Sequence, residues 1–506
     1  MDSTTYHNLT SYNRYAMTPH HLDWGHVPLL QKAYSQLPAV RLKPPEALPG
    51  GSFTEVLGGP MARDSLRPVL GFQDLSAILM LANGITARRR FGGQTQFYRS
   101  APSAGALYPT EIYAVTGSVN ELDPGLYNYQ VMDASLAQLR KGLFLQPVQS
   151  ALSREGGEIP AVSLMITGIF FRSAWKYRAR AFRYVLLDAG HLVENVVLAA
   201  KAHGCAYSVH YDFDDNALER LLGIDPKREA SLAVVNLYTD KNESRRPLAG
   251  EQPGIPVLPE TLVAASRTST AEIQYEAIQE VCTAGNTIKP GEARTIQTFP
   301  AVGKTPQAWF PVRADAAPIG GLRFVESVLK RRSRRNFVPT PLPTSQAMHL
   351  MQSLCMNPHH ARDEGLAYGG CMTPGFAAVN IESFDPGIYR LDTRERAYCL
   401  VSGGSSGEKV AHVCLDQEWL KNGSLHFLFL ANLPSLDRYL GTRGYRYAML
   451  NAGRAGQRIY LAATALGLGA CGIGAIYDAE ARQMLALNDE SSLLYLIAVG
   501  VAKSQS

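Results

Sequence analysis

Within KRRSRRNF (330–337), five basic residues fall in the six positions from Lys330 to Arg335. Arg331, Ser333 and Arg335, spaced by two, present guanidinium forks and a hydroxyl. That donor set suits phosphate oxygens and the edge of a planar heterocycle; a solvated basic run is the competing reading. In APSAGALYP (101–109), a small-residue loop between prolines lets backbone N–H groups approach a flat or anionic ligand, or is an ordinary tight loop. Lys176 and Tyr177 stand in WKYRARAFRY, between an apolar strand and an apolar helix. A lysine beside a phenol could form a proton-transfer pair; side chains snorkelling from a helix start would look the same. The glycines of 467–474 follow a helix rather than a strand, so the dinucleotide fingerprint does not apply, and G-x-S-x-G, Walker A and H-E-x-x-H are absent. His20, His21 and His26 flank Asp23, but their short polar segment offers no scaffold to fix a geometry, and no metal site is expected.

The elements that must position these residues belong to a chain of 506 residues, long enough to bury a large core without disulfide or metal staples. A net charge of +5 is too small for a protein that works by neutralising nucleic-acid phosphates. Seven cysteines without a C-x-x-C argue against a disulfide framework or a clustered-cysteine metal centre. The N-terminal residues lack the apolar run of a secretory signal. Residues 459–477 carry no charge, yet Gly467, Gly469, Gly472 and Gly474 would break a spanning helix. That stretch reads as a buried helix, a glycine-rich turn and a strand. No membrane association is expected, and the expected location is the cytoplasm.

Internal repetition organises the chain. FRYVLLDAGHLVENVVLAA from Phe182 matches YRYAMLNAGRAGQRIYLAA from Tyr445, pairing Arg183 with Arg446, Gly190 with Gly453 and Gly204 with Gly467 at an offset of 263. DPGLY at Asp123 recurs as DPGIY at Asp385. The expected organisation is an N-terminal extension (1–49), unit one (50–240), a proline-rich connector with a short helix (241–319) and unit two (320–506). Apolar periodicity predicts helices at 72–83, 346–356, 183–203 and 446–466, strands at 111–116, 162–170, 231–238, 425–430 and 492–499, and a helical island at 260–282. Strands and helices mix without βαβ alternation, which describes an α+β fold.

KRRSRRNF before a glycine-rich turn that follows a long helix resembles the nitroreductase-type flavoproteins. YHNLTSYNRY, LANGIT, APSAGALYPTEIY, DPGLYNY and KYRARAFRYVLLDAGHLVENVVLAA resemble, more narrowly, the SagB/ThcOx-type dehydrogenases. The resemblance implies a tandem nitroreductase-like fold packed as an intramolecular pseudodimer, with FMN as cofactor. It implies that Arg331, Ser333 and Arg335 hold the FMN phosphate, ribityl chain and pyrimidine edge. Gly472, Ile473 and Gly474 would pass near flavin N5, and Pro102, Ser103 and Gly105 would cover the flavin from the other unit. Lys503 would reach the phosphate. Lys176 and Tyr177 would serve azoline oxidation, with Lys176 keeping Tyr177 partly ionised. The implied activity is oxidation of thiazolines or oxazolines in a modified peptide, with a cyclodehydratase-type partner. An NAD(P)H-dependent nitro- or quinone-type reductase and a flavin-less scaffold are the alternatives.

The two units depart from this pattern in complementary ways. Unit one reads MARDSLRPV, with Arg63, Ser65 and Arg67 beside Asp64, and HGCAYSVHYD in place of the glycine turn. Unit two has CMTPGFAAV for the Pro-Ser-Ala-Gly loop and Tyr439-Leu440 for Lys-Tyr. One composite site and one flavin per chain are therefore expected, in a monomeric pseudodimer or a weak higher oligomer.

Overall fold

A computed structural model describes residues 1–17, 20–34, 36–44, 48–58, 66–91, 94–153, 158–240, 258–288, 308–313, 321–355, 363–485 and 487–503. Two seven-stranded antiparallel sheets dominate it. The first contains β1 (Ala39–Arg41), β2 (Thr110–Thr116), β3 (Gly125–Gln130), β4 (Ser135–Lys141), β5 (Val162–Ile169), β6 (Ala206–His210) and β7 (Glu229–Tyr238), in the spatial order β1-β4-β3-β2-β5-β7-β6. The second contains β8 (Phe310–Pro311), β9 (Thr373–Ala378), β10 (Gly387–Asp392), β11 (Ala397–Gly403), β12 (Leu425–Asn432), β13 (Gly469–Ile473) and β14 (Ser491–Gly500). Its order, β8-β11-β10-β9-β12-β14-β13, repeats the first with every strand advanced by seven. The repeated DPG-x-Tyr makes the same bond twice: the Tyr127 and Tyr389 hydroxyls donate to the carbonyls of Asp123 and Asp385, each at 2.8 Å.

Each unit places a short helix before its long one: α1 (Phe170–Tyr177) before α2 (Ala181–Ala202), and α3 (Leu433–Leu440) before α4 (Arg443–Ala465). The long helices are buried nearly all round and cross at Gly190 and Gly453. A Cβ on Gly190 would lie 2.2 Å from the Leu450 carbonyl, and one on Gly453 would lie 2.2 Å from the Leu187 carbonyl. The reciprocity is that of a two-fold axis through the crossing. Buried ion pairs obey the same axis. Arg180 and Arg183 of unit one each reach Asp478 of unit two at 2.8 Å; Arg443 and Arg446 of unit two reach Asp215 of unit one at 2.5 and 2.6 Å. The main hydrophobic core runs through both units without a break. The chain is thus a pseudodimer of α+β units. No helix among the described residues is long and apolar enough to cross a membrane.

The flanking segments are more deeply built in than their composition implies. The extension supplies β1, and the connector supplies β8, the equivalent edge strand of unit two. Lys32 is fully buried, donating to Glu229 Oε2 (2.7 Å), the Tyr113 hydroxyl (2.8 Å) and the connector's Ser266 Oγ (3.0 Å). The helix Ser3–Leu9 seats Tyr6 in the core and docks Ser3 and Thr4 on Asp437. The histidine-rich arm is exposed and lies over α1: His20 bonds the Lys176 carbonyl at 3.0 Å, and the Trp175 indole donates to the Asp23 carbonyl at 2.9 Å. The helical island at 260–282 divides into Glu260–Val263 and Glu276–Ala284. Glu272 between them instead accepts from Thr268 N–H and Arg228.

Candidate functional site

At one end of the helix crossing, the two units close around a cavity lined from unit one by Pro102, Ser103, Gly105 and Tyr177, and from unit two by Ser333, Arg335 and the 472–475 turn. The loop at 102–105 is shaped for this approach. Gly105 has φ of +66°, a conformation glycine adopts without strain. A Cβ there would sit 2.9 Å from the Tyr177 hydroxyl, so the phenol lies against this loop. Ser103 Oγ receives the Tyr108 N–H at 2.8 Å and donates to Asp188 Oδ2 at 2.5 Å, while Ala104 N–H reaches Asp188 Oδ1 at 3.3 Å.

The unit-two wall rests on a tyrosine. The Tyr460 hydroxyl accepts the Gly472 N–H at 2.6 Å and bonds Ser333 Oγ at 2.9 Å. Position 472 is tight for any larger residue, because a Cβ would land 1.9 Å from the Tyr495 hydroxyl, which would have to shift. Beyond it, Gly474 and Ala475 line the cavity, and among the described residues no protein acceptor takes their N–H groups. The Gly474 carbonyl is fixed by Arg180 at 2.8 Å. Arg331 joins the units: its Nε and Nη2 donate to the carbonyls of Ser100 (2.8 Å) and Arg99 (3.0 Å), holding the strand that leads into the small-residue loop. Two of its donors are therefore committed within the protein, whereas Arg335 is exposed at the cavity mouth. Lys503 lines neither this cavity nor the trough beside it; its backbone exchanges hydrogen bonds with Asn336.

Burial sets the electrostatics. It pushes the Tyr177 phenol well above its ordinary value, with Tyr184 and Asp188 adding to the effect and Arg335 opposing it. The expectation that Lys176 keeps this phenol ionised is not met: its ammonium stands over the ring face, 5.6 Å from the centroid, and the phenol stays neutral. Burial raises the Asp188 carboxyl to about 7 against the bonds from Ser103 and Ala104. Burial also lowers His191 to about 3, so its imidazole is neutral, bonding Gln457 Oε1 at 2.9 Å and the Tyr495 hydroxyl at 3.0 Å. Asp188, His191, Tyr460 and Tyr495 all line the cavity, and sequence reasoning passed over them. Their signal was the comparison between units, which sets Asp188 against Asn451 and His191 against Arg454.

At the two-fold equivalent of this cavity the turn is capped by the chain itself. Tyr211 replaces Gly474, and the two N–H groups corresponding to Gly474 and Ala475, those of Tyr211 and Asp212, are both taken by Glu364 Oε2, at 2.8 and 3.0 Å. Tyr447 stacks on Tyr368 at 4.0 Å, with Tyr211 parallel to it at 6.1 Å, and the Tyr447 and Tyr368 hydroxyls both donate to Asp212. A cavity of about 200 Å³ survives beside this stack. The arginines reaching it from α4 are paired: Arg454 with Asp363 and Glu194, Arg458 with Glu194. In the sequence-level phosphate grip of unit one, Arg63 and Ser65 lie outside the described residues; Arg67 binds Asp74 and the His203 carbonyl.

Comparisons with known proteins agree with this architecture. The profile of the nitroreductase family matches twice, over residues 68–237 and 328–501. A nitroreductase-type protein of Methanocaldococcus jannaschii is 26% identical over 176 residues, covering 34% of this chain and 89% of that protein. The trifolitoxin-processing protein TfxB of Rhizobium leguminosarum bv. trifolii is 30% identical over 150 residues, 28% of this chain and 40% of TfxB. The microcin B17-processing protein McbC of Escherichia coli is 27% identical over 154 residues, 29% of this chain and 56% of McbC. The chain thus spans about half the length of these two processing proteins. The crystal structure of a nitroreductase-type protein from Anabaena variabilis superposes with a TM-score of 0.77 at 24% identity over 99% of both chains, a likeness of fold. With its domain matched twice across more than half of the sequence, the chain belongs to the nitroreductase family.

Proposed function

We propose that the protein is an FMN-dependent dehydrogenase that oxidises azoline rings, thiazoline or oxazoline, to azoles in a modified peptide, with one flavin per chain. The observation that carries this reading is the composite cavity. It joins the small-residue loop and Tyr177 of unit one to Ser333, Arg335 and residues 472–475 of unit two, where among the described residues the Gly474 and Ala475 N–H groups have no protein acceptor, while the equivalent pair is capped by Glu364. The donor set fits a flavin: two N–H groups without a protein acceptor among the described residues, a hydroxyl and an exposed guanidinium, beside aromatic walls. Ser333, Arg335 and the turn would hold it from one side, and Pro102, Ser103 and Gly105 would cover the other.

FMN, when bound, supplies the two-electron acceptor for the ring's hydride. The protein's part is to orient the ring and move its proton. Tyr177, neutral by burial, cannot accept a proton while it keeps its own, so it takes the ring Cα proton as it passes its phenolic one on. Asp188, titrating near neutrality on the same cavity wall, receives it. Lys176 flanks the phenol. The names of TfxB and McbC as peptide-processing proteins support a peptide substrate, which a cyclodehydratase-type partner would supply in the cytoplasm. The test is direct. Purified protein should show flavin absorbance at one equivalent per chain, and an azoline peptide should lose two hydrogens per ring under air. Absence of flavin would favour the scaffold. Bleaching by NADH under nitrogen, without azoline turnover, would favour the reductase that the Methanocaldococcus relative's name describes.

A further inference from the structure

Arg180 belongs to unit one, between α1 and α2, yet it serves the turn of unit two. It is buried, and its guanidinium is gripped from several directions. Nη1 donates to Asp478 Oδ2 and to the Thr10 carbonyl of the extension, both at 2.8 Å, and the group stands over the Tyr12 ring, 4.3 Å from the centroid. Nη2 donates to the Gly474 carbonyl at 2.8 Å. The Gly474–Ala475 peptide is trans, like every peptide bond among the described residues. In a planar trans peptide the carbonyl and the N–H that follows it point in opposite directions. Anchoring the Gly474 carbonyl on Arg180 therefore turns the Ala475 N–H away from Arg180. Gly474 and Ala475 line the cavity, and Arg180 does not.

The capped turn shows what such a plane delivers. Arg443, 263 positions on, pairs with Asp215 as Arg180 pairs with Asp478, and its Nε and Nη2 donate to the Tyr211 carbonyl at 3.1 and 2.7 Å. The far side of that same peptide, the Asp212 N–H, reaches Glu364 Oε2 at 3.0 Å. An arginine on the carbonyl and an acceptor on the N–H thus occur together. At Gly474–Ala475 the arginine is kept, and among the described residues no protein group takes the N–H. We infer that Arg180 is a positioning residue for the cofactor: reaching across from the opposite unit, it fixes this peptide plane so that the Ala475 N–H is held as a donor to the flavin. Thr10 and Tyr12, which hold Arg180, give the N-terminal extension a part in the site. The inference rests on the flavin reading of the cavity. A fixed donor counts most where charge accumulates. Reduced flavin carries the added electron pair, so this donor favours it over the oxidised form.

The test is the midpoint potential of the bound flavin, followed by its spectrum during reductive titration. Arg180→Lys keeps the charge but replaces a planar fork with one ammonium, which cannot serve Asp478, Thr10 and Gly474 in the same geometry. The ratio of reduced to oxidised affinity should fall about ten-fold, equivalent to a potential about 30 mV lower. Arg183→Lys is the control. Arg183 is equally buried, shares Asp478 at 2.8 Å and bonds Thr10 Oγ1 at 3.0 Å, but among the described residues no bond joins it to the 472–475 turn. Its ratio should stay within about two-fold of wild type, as for a site without contact to the cofactor. Equal shifts in the two variants, or none in Arg180→Lys, would overturn the inference and leave Arg180 a structural member of the Asp478 cluster. A second measurement uses the unaltered protein and depends on neither variant folding. With isotope-labelled alanine, hydrogen exchange at the Ala475 amide should slow about ten-fold or more when FMN binds, and an unchanged rate would overturn the inference. A chain that takes up no FMN fails the flavin reading, and the inference falls with it; a holoprotein whose potential ignores Arg180→Lys fails the inference alone.

Discussion

A phenol held neutral by its surroundings can act only as a relay, taking one proton as it gives up its own, and that sets what removing the Tyr177 hydroxyl should do. Tyr177→Phe keeps the ring packed 4.3 Å from Tyr184, so bound flavin should persist while turnover falls by roughly 10²–10⁴-fold. Rapid-mixing measurement of flavin reduction by an azoline peptide reads this, and an unchanged rate would remove Tyr177 from the chemistry. Asp188 gives a pH signature. Its carboxyl stays protonated to about 7 in the folded protein, against about 3.9 for a free aspartate. Between those values the folded state holds the extra proton, so this group's contribution to stability falls as pH rises through that window, and its full cost is present above it. Asp188→Asn should therefore gain stability relative to wild type at pH 8 compared with pH 5, read from urea midpoints; a constant difference would contradict the assignment. Tyr177 and Ser103 were legible because each stands in a local motif. Asp188 and His191 were not: on a helix buried nearly all round, a single polar side chain looks like a satisfied core residue until its partners, Ser103 and Tyr495, are seen.

The regular elements were legible because apolar period and burial coincide. The helix at 72–83 has the expected bounds, and the strand at 162–170 and the two long helices differ by at most three residues at their ends. The glycine run is the informative departure. It was read as a turn before a strand, yet Gly469 and Gly472 lie within β13, where Phe337, Ala502 and Tyr495 leave no room for a Cβ. Glycine marks a close approach there, which a list of turn-forming residues does not anticipate. The same cause acts where α2 crosses α4. Gly190→Ala would drive a methyl onto the Leu450 carbonyl, and backbone on both sides has little freedom to move. A loss of about 2 kcal/mol or more is expected from chemical denaturation. Gly369→Ala, with nothing within 4 Å of its Cβ, should stay within about 0.5 kcal/mol of the parent. Equal effects would mean that the crossing is looser than drawn.

At the scale of the whole molecule, the reciprocal ion pairs decide whether the halves hold together. Burial alone would raise the Asp478 carboxyl, but Arg180 and Arg183 hold it well below the ordinary aspartate range. Its stabilisation is therefore present above about pH 4 and is lost as pH falls through the folded-state value. Asp478→Asn leaves both arginines buried with less compensation and should cost about 3–5 kcal/mol, with a weaker acid-induced decline below pH 4. A variant that unfolds in acid like the parent would contradict this. The duplication was legible from the 263-residue offset, whereas Asp215 and Asp478 were not, because the partner of each comes from the other unit and neither sits in a motif. The crossing also has a kinetic consequence. When a cavity is assembled from two separate subunits, dilution competes with assembly; here the halves are one covalent chain, and each sees the other at an effective concentration that no dilution changes. Specific activity should stay constant as the protein is diluted from micromolar to picomolar with excess FMN, and a fall on dilution would show that a second chain completes the site. Assembly of the cavity thus becomes a first-order event that a single molecule completes alone, so its yield is independent of how many copies a cell makes.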